Sequence, residues 1–332
     1  MSQINTVKPT VKFEEKFTVV CHKRLNKGSA LLTALFIMTL VAIVATAMST
    51  KIQLDIYRTK LILTHDKLYL ATQAETFWAM GELNNPKNKF MKASAQGIVS
   101  QYPLNMEHID KTVVLSGVLY DLQSRYNLNN LTNRKAMLGF VNLIGATIPQ
   151  LSEAEKTQLT LAVSDWLTSY DLARGKDNYL SYYTSQKPPY YPGHQLMSSQ
   201  SELRLVKDVS APIYLALEPF ICALPEITPI NINTAPKQVL KSLSATIKDT
   251  QLNELLKQRK ENGIKDLKKI TELLQKLDIA SDQITLESSY FLNVASATSD
   301  NINLTVYSLL KRNRDKNGKI TVTLLRESLN IF

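Results

Sequence analysis

Cysteine is scarce in this chain of 332 residues, with Cys21 and Cys222 as its two members. Two cysteines cannot build the framework of a small disulfide-rich secreted domain, so that class is excluded. The 10 Gly and 12 Pro residues exclude collagen-like and Pro-rich low-complexity chains. The composition predicts a globular protein that is long enough for two modest domains.

Motifs for catalysis are also lacking. The four histidines are scattered without metal-ligand spacing. Tyr170 stands where a P-loop around Arg174-Gly175-Lys176 would need its first glycine, and no G-x-S-x-G motif occurs. Cys222 is expected to be a small buried side chain rather than a nucleophile. We therefore do not expect an enzyme.

Positive charge exceeds negative charge, and the excess is densest near the N-terminus. The formal net charge is +10. Six basic and two acidic residues precede Gly28, which gives that segment +4 and leaves +6 for the rest of the chain. Because the remaining charge is spread out, it does not predict a nucleic-acid surface.

Residues 28–50 contain no charged side chain. As a helix this segment is about 34 Å long, which is enough to cross a bilayer core of about 30 Å. Lys23, Arg24 and Lys27 precede it and Lys51 follows it. Because the stronger positive flank stays in the cytoplasm, we predict one membrane-spanning helix with its N-terminus inside and the C-terminal body outside.

The helical pattern continues beyond the membrane segment, with no Gly until Gly81 and no Pro until Pro86. Apolar residues recur there at helical spacing: Ile52, Ile56, Leu61, Leu68, Ala71, Ala74 and Trp78. This predicts an amphipathic helix that runs to Leu83 and packs its apolar stripe on a folded body.

The body combines strands and helices. Residues 112–122 are apolar and β-branched, which predicts a strand. A hairpin is predicted around Asn317-Gly318, with Val306, Ser308 and Leu310 against Ile320, Val322 and Leu324. Between these lies a block of helices. It is indicated by a cap at Thr132, by capping boxes at Ser152 and Ser199, and by helical segments near 236–243, 249–262 and 265–277.

Lys27-Gly28 directly before an apolar helix resembles the cleavage site of prepilin peptidase. The resemblance implies cleavage after Gly28 and methylation of Ser29, the new N-terminus. Pilins and most pseudopilins carry Glu at the fifth mature position, which is Thr33 here. The K-type minor pseudopilins of type II secretion share that departure. The leader of 28 residues is longer than is usual in that family.

Further segments resemble the K-type family in the same order along the chain: 121–131, 165–167, 188–206, 223–236 and 288–296. The chain is therefore identified as a member of the type II secretion minor pseudopilin K family. The resemblance implies a tip subunit, anchored in the inner membrane with a periplasmic body, that initiates pseudopilus assembly for protein export. The residues expected to act in assembly are Leu31, Leu32, Thr33, Leu35 and Phe36.

The resemblance also implies partners and an architecture. The expected partners are the I-type and J-type minor pseudopilins, the major pseudopilin, prepilin peptidase, inner-membrane lipid and exported proteins. The fold class is α+β: a pilin-like long N-terminal helix on a small antiparallel sheet, with an inserted all-helical domain of SAM or helix-hairpin-helix type. The expected segments are leader 1–28, membrane helix 29–50, helix and first strands 51–131, helical domain 132–286 and returning strands 287–332.

Calcium is the one cofactor that the resemblance suggests, since K-type pseudopilins are thought to bind it in the inserted domain. The matching acids are Asp165, Asp171 and Asp177, at a helix end followed by a polar loop. Thr168 stands where the family has another acid. Loop acids hydrated by water are the alternative interpretation.

Three other functions compete with this one. Residues 230–274 resemble the helix-hairpin-helix modules of DNA-binding proteins, which would make the chain a membrane-anchored DNA receptor. The hairpin position, 244–247, lacks the glycines that let a backbone approach phosphate, so nucleic acid is not the expected partner. The others are a minor pilin of a type IV pilus and a plain membrane-anchored domain that is not processed.

Overall fold

In the computed structural model, the described residues are 27–94, 97–106, 108–110, 112–169, 179–259 and 263–330. The chain divides into two compact units, Met1–Leu61 and Ile62–Phe332. Helix α1, Lys27–Asn84, is the first element. It ends within one residue of the predicted end because Pro86 cannot continue an α-helix and restrains the residue before it.

Strands in the second unit form one sheet and two short ladders. The strands are β1 (Ile98–Gln101), β2 (His108–Asp110), β3 (Val113–Asp121), β4 (Tyr126–Asn127), β5 (Ile221–Cys222), β6 (Ile230–Asn231), β7 (Ile284–Thr285), β8 (Tyr290–Ser299), β9 (Ile302–Arg314) and β10 (Ile320–Leu329). The antiparallel sheet has the order β1-β3-β8-β9-β10, with β2 also paired to β3. β4 and β5 pair in parallel, as do β6 and β7.

Helices occupy the long stretch between the adjacent strands β3 and β8. They are α2 (Arg134–Thr147), α3 (Glu153–Leu167), α4 (Leu180–Thr184), α5 (Ala211–Leu217), α6 (Lys237–Lys241), α7 (Asp249–Gln258) and α8 (Thr271–Lys276). Short 3₁₀ segments connect them, among them Leu128–Thr132, Gln200–Leu205 and Leu267–Ile270. A long helix, an antiparallel sheet and a helical block together confirm the predicted α+β class.

The part of α1 in the second unit packs on one face of the sheet. Leu68 and Ala71 form a buried cluster with residues of β3, β8 and β9. About two turns further on, Ala79 and Leu83 pack with Phe291 and its neighbours. This burial of apolar area is the main force that attaches the helix.

Arg312 of β9 holds the C-terminal end of α1. Its Nε donates to the carbonyl of Leu83 at 2.7 Å, and its Nη2 donates to the carbonyls of Asn88 at 3.0 Å and Asn85 at 3.4 Å. The last carbonyls of a helix lack intrahelical donors and carry partial negative charge, so a buried guanidinium satisfies both needs.

The opposite face of the sheet meets the helical block. Cys222 and Leu224 are buried against Tyr290, Leu292 and neighbouring residues there. The Cys222 thiol is free, and burial raises its pKa to about 12. This confirms the expectation of a buried, unreactive cysteine.

Asp121, at the end of β3, is fully buried between the sheet and the helical block. Its carboxylate accepts hydrogen bonds from Thr234 at 2.5 Å, Ser288 at 2.7 Å, Asn231 at 3.1 Å and the backbone N–H of Gln123 at 2.8 Å. Burial raises the pKa of Asp121, and these four donors oppose that rise because they stabilise the charged form.

Two local predictions were right and three need correction. The capping boxes at Ser152 and Ser199 both form. Asn133, not Thr132, caps α2, because its side chain accepts from the N–H of Lys135. The segment after Ser199 is a 3₁₀ helix rather than an α-helix, and residues 265–277 split into a 3₁₀ turn and α8.

The C-terminal hairpin forms in a different register from the predicted one. Leu310 pairs with Leu324, Val322 faces Arg312, and a bulge between Leu324 and Arg326 shifts the rest of the register. The turn is longer than two residues because the Asp315 carboxylate accepts from two backbone N–H groups of the loop. Gly318 supplies the positive φ that the turn requires.

Candidate assembly helix and candidate calcium site

Within the second unit, the face of α1 that points away from the sheet carries an apolar stripe. Leu63, Leu70 and Phe77 are 64%, 67% and 69% exposed. They are seven residues apart, which is two helical turns, so they lie on one side of the helix. Ala74 and Gly81 are also exposed on this part of the helix. Repeated large apolar side chains in water are typical of a surface that binds another helix.

The predicted stripe on α1 was therefore partly wrong. Leu68 and Ala71 are buried as predicted, and Trp78 is only partly buried. The other predicted members are exposed: Ile52, Ile56, Leu61 and Ala74. The buried face includes polar residues that apolar spacing could not reveal, among them Glu75.

In the first unit, the predicted assembly residues all lie on α1 and are exposed. Leu31, Leu32, Leu35 and Phe36 are each more than half exposed. Among the described residues, α1 is the one helix that is long and apolar enough to cross a membrane, and its most apolar window is not buried. A lipid environment or neighbouring helices would cover such a surface.

Thr33 has a neutral side chain whose hydrogen bonding is satisfied inside the helix. Its hydroxyl lies 3.0 Å from the carbonyl oxygens of Ser29 and of Ala30. A hydroxyl bonded to its own helix needs no charged partner in lipid, in contrast to a carboxylate at the same position.

Helix α1 begins at Lys27, two residues before the predicted start at Ser29. The bond between Gly28 and Ser29 therefore lies in the first helical turn. The first N–H groups of a helix have no intrahelical acceptor, so this turn is held less firmly than the interior. A peptidase would have to open it to reach the bond.

Of the three acids predicted to bind calcium, Asp165 lies at the C-terminal end of α3, whereas Asp171 and Asp177 fall outside the described residues. The Thr168 hydroxyl donates to the Ser164 carbonyl at 2.7 Å, so its hydrogen is used within the helix end. In the part of the chain that the structure describes, no three His, Cys, Asp or Glu side chains come together as a metal site.

Close contacts hold the residues around Asp165 in place. Trp166 is buried and packs edge-on against Tyr183 with ring centroids 5.4 Å apart. Gly193 lies so close to the Trp166 indole that a Cβ there would be 2.9 Å from its Nε1. His194 Nδ1 lies 3.0 Å from the Thr168 carbonyl. These contacts fix the end of α3 from which the predicted calcium loop departs.

The helix-hairpin-helix segment is present as α6, a turn and α7, but its potential phosphate contacts are used internally. The Thr246 N–H donates to Ser244 Oγ at 3.3 Å. Lys237 and Lys241 pair with Asp249 at 3.0 and 2.9 Å. Arg259 donates to backbone carbonyls of residues 232 and 235. This arrangement favours a structural role over phosphate binding.

Comparison with known proteins gives one consistent result. Two family models described as "Type II secretion system (T2SS), protein K" match the chain, one over residues 124–226 and the other over residues 230–287. They cover the helical block between β3 and β8.

Similar proteins of the same description span most of the chain. "Type II secretion system protein K" of Aeromonas hydrophila is 29% identical over 315 residues, which cover 81% of this chain and 87% of that protein. The Klebsiella pneumoniae protein with that description is 26% identical, over 86% of this chain and 93% of its own length.

A solved structure shares the fold. The crystal structure of the GspK-GspI-GspJ complex from the enterotoxigenic Escherichia coli type 2 secretion system contains a chain that aligns with a TM-score of 0.63 at 21% identity. The alignment covers 83% of this chain and 100% of that chain. At this identity the likeness shows the architecture alone.

Proposed function

The chain belongs to the type II secretion system protein K family, and we propose from this that it is a minor pseudopilin at the tip of the type II secretion pseudopilus. It initiates assembly of the pseudopilus and thereby serves protein export across the outer membrane. Its role is in assembly rather than in catalysis. The body lies in the periplasm, and α1 anchors it in the inner membrane with the N-terminus in the cytoplasm.

The exposed stripe of Leu63, Leu70 and Phe77 is the observation that supports this function best. The sheet leaves these side chains uncovered, although a soluble monomer gains nothing from large apolar groups in water. Helices of the I-type and J-type minor pseudopilins are suitable partners, because pseudopilins share a long apolar N-terminal helix. Packing the stripe against one of them would bury it.

The apolar face of residues 31–48 extends the same interaction into the membrane. There, Leu31, Leu32, Leu35 and Phe36 pack with the helices of sister subunits and of the major pseudopilin. Thr33 brings no charge to this contact, so no neighbouring amine is needed to offset it. A subunit without that requirement suits the first position of an assembly.

Processing precedes assembly in this proposal. Prepilin peptidase cleaves after Gly28, and Ser29 becomes the methylated N-terminus. Cleavage removes a segment with a formal charge of +4, which would otherwise hold the helix end at the cytoplasmic surface. The helical block inserted between β3 and β8 adds bulk above the sheet, which favours the tip over the shaft.

Calcium would be held by Asp165, in the last turn of α3, together with Asp171 and Asp177 further along the chain. The donor set fits, because Ca²⁺ prefers several hard carboxylate and carbonyl oxygens on a loop. The ion would crosslink the loop to the rigid end of α3. Exported proteins are a further expected partner of the periplasmic body.

The first experiment is the intact mass of the membrane-extracted protein from strains with and without active prepilin peptidase. We expect a chain that starts at N-methylated Ser29 only in the strain with the peptidase. If the full leader persists in both strains, the chain is an unprocessed membrane-anchored domain and the proposal is wrong.

The second experiment tests the stripe by copurification with the I-type and J-type subunits. Leu70→Glu places a charge in the stripe, and we expect it to abolish copurification. Leu215→Glu on α5 is the matched control, because Leu215 is 63% exposed and Leu70 is 67% exposed. If both variants retain the partners, or both lose them, the stripe is not the assembly surface.

A further inference from the structure

A group of polar side chains is completely buried where α1 crosses the sheet in the second unit. Glu75 of α1, Asn293 of β8 and Ser308 of β9 are each 0% exposed. Asn293 and Ser308 are direct partners across β8 and β9, so their side chains emerge on the same face. A carboxyl group in such a place is costly as an anion unless a positive charge or several donors compensate it.

Few hydrogen-bond donors compensate the charge that an ionised Glu75 would carry. Its Oε2 lies 2.6 Å from the Asn293 side-chain amide. Its Oε1 has no hydrogen-bond partner among the described residues, and the same is true of Asn293 Oδ1 and Ser308 Oγ. For comparison, the buried Asp121 carboxylate accepts four hydrogen bonds. Glu75 therefore lacks the donors that an ionised buried carboxylate needs.

Gly117 of β3 provides the space for this side chain. A Cβ at position 117 would lie 1.9 Å from Glu75 Oε1 and 2.3 Å from its Cδ. The carboxyl group thus rests directly on the strand backbone. It is enclosed by the helix above and by β3 and β8 below, and Glu75 is 0% exposed.

The contact with Asn293 gives the Glu75 carboxyl a single donor. The Asn293 side-chain NH₂ donates to Glu75 Oε2 at 2.6 Å and to Thr76 Oγ1 at 3.3 Å. The Thr76 hydroxyl itself donates to the Thr72 carbonyl at 3.1 Å, so Thr76 Oγ1 accepts from the amide and fixes its orientation. A neutral carboxylic acid can accept the Asn293 bond through its carbonyl oxygen and carry its proton on the other oxygen.

We propose that Glu75 is a protonated carboxylic acid in the folded protein, and that its ionisation loosens α1 from the sheet, so that docking of this helix is controlled by pH. On ionisation the proton passes to solvent, and the buried carboxylate is left facing Gly117 and Asn293. The consequence is a weaker attachment of the helix that carries the exposed stripe.

The electrostatics agree with this geometry. Burial raises the pKa of Glu75 to about 7, and the Asn293 hydrogen bond acts in the opposite direction. Tyr102, after β1, is the titratable group with an electrostatic contact to Glu75 in the part of the chain described, and it is neutral in this pH range. The groups of β3, β8 and β9 that face Glu75, namely Gly117, Asn293 and Ser308, do not titrate.

The direction of the pH effect follows from the difference in the pKa of Glu75 between the folded and the unfolded protein. The pKa of Glu75 is about 7 in the folded protein and 4.5 without the fold. The stability that protonated Glu75 contributes is therefore fully present below about pH 4.5 and is lost as the pH rises through 7. Between pH 4.5 and pH 8 the unfolding equilibrium constant should rise on the order of 100-fold relative to a variant without this group.

The test uses the full chain in detergent micelles and compares wild type with Glu75→Gln, a neutral side chain of the same shape. Infrared spectra should show the C=O band of a protonated carboxyl in wild type at pH 6, which disappears by pH 9 and is absent from Glu75→Gln. Denaturant unfolding should show the 100-fold pH effect in wild type but not in Glu75→Gln. Asp66→Asn, an exposed acid of the same helix, should behave as wild type.

Two outcomes would overturn the proposal. One is an infrared spectrum of the wild-type protein at pH 6 that has no protonated-carboxyl band, or whose band persists in Glu75→Gln. The other is an identical pH dependence of unfolding in wild type and Glu75→Gln. Hydrogen exchange of the wild-type α1 amides, corrected for the intrinsic pH effect, gives a readout that needs no variant: protection should fall between pH 6 and pH 8.

Discussion

Replacing Gly117 with alanine should expel the Glu75 carboxyl from its place under α1. The new methyl group would lie 1.9 Å from Oε1, so one of the two must move. The end of a glutamate is normally flexible, but this one is enclosed between helix and sheet. Overpacking of this kind costs about 1–3 kcal/mol, and the contact with Asn293 is lost as well. Removal of a strand glycine returns about 0.5–1 kcal/mol, so we expect a net destabilisation of about 2 kcal/mol.

A double-mutant cycle separates this clash from other effects of alanine. In a Glu75→Ala background the obstructing carboxyl is gone, so Gly117→Ala should become neutral or stabilising. The expected coupling energy is about 2 kcal/mol. Urea unfolding of the full chain in detergent, followed by tryptophan fluorescence, measures it, since Trp78 lies on the same helix.

Gly81→Ala is the matched control, because a Cβ there would have no atom within 4 Å. As an exposed position in α1, it should gain about 0.5–1 kcal/mol from higher helix propensity. The reasoning is refuted if Gly117→Ala and Glu75→Ala are additive, or if both glycine variants shift stability in the same direction.

Two further predictions concern other parts of the body. Arg312→Ala removes three hydrogen bonds to carbonyls at the end of α1. It should lower the free energy of unfolding, measured with urea, by about 3 kcal/mol, and Arg312→Lys should lie between this variant and wild type. An unchanged midpoint would show that the Arg312 cap is dispensable. If the proposed calcium site is real, Ca²⁺ at about 100 times its Kd should stabilise the full chain by about 2.7 kcal/mol. Asp165→Asn should weaken binding in calorimetry by at least about tenfold, whereas Asp282→Asn, in the 3₁₀ segment Ser281–Gln283, should not. A chelator without effect on the melting temperature of wild type would contradict the site.

Local patterns predicted those features that depend on neighbouring residues. The uncharged run of 28–50 indicated a membrane helix, and Pro86 set the end of α1 because the ring prevents continuation. Ser152 and Ser199 with acids three residues later indicated capping boxes, and both form. For the end of α1 and for the capping boxes, the physical cause lies within one or two helical turns.

Features that depend on distant residues were missed or misplaced. The hairpin was predicted, but its register was not, because a bulge near Leu325 and the Asp315 turn shift the pairing. Asn133 rather than Thr132 caps α2; both residue types can cap, and packing decides between them. The loop acids Asp171 and Asp177 remain a prediction from the family resemblance.

The sequence by itself determined that this protein has an apolar N-terminal helix, an α+β body and segments that resemble the type II secretion protein K family, because composition, periodicity and motif order are properties of the chain. Only the tertiary structure decided which face of α1 is buried. That face holds Glu75 over Gly117 and beside Asn293, residues that are 42 and 218 positions apart from it in the chain. A glutamate in an amphipathic helix is ordinarily solvated, and local spacing cannot show that a distant glycine has made room for it. The sheet that brings these residues together thereby buries an acid that would otherwise be solvated, and it leaves Leu70 and Phe77 exposed.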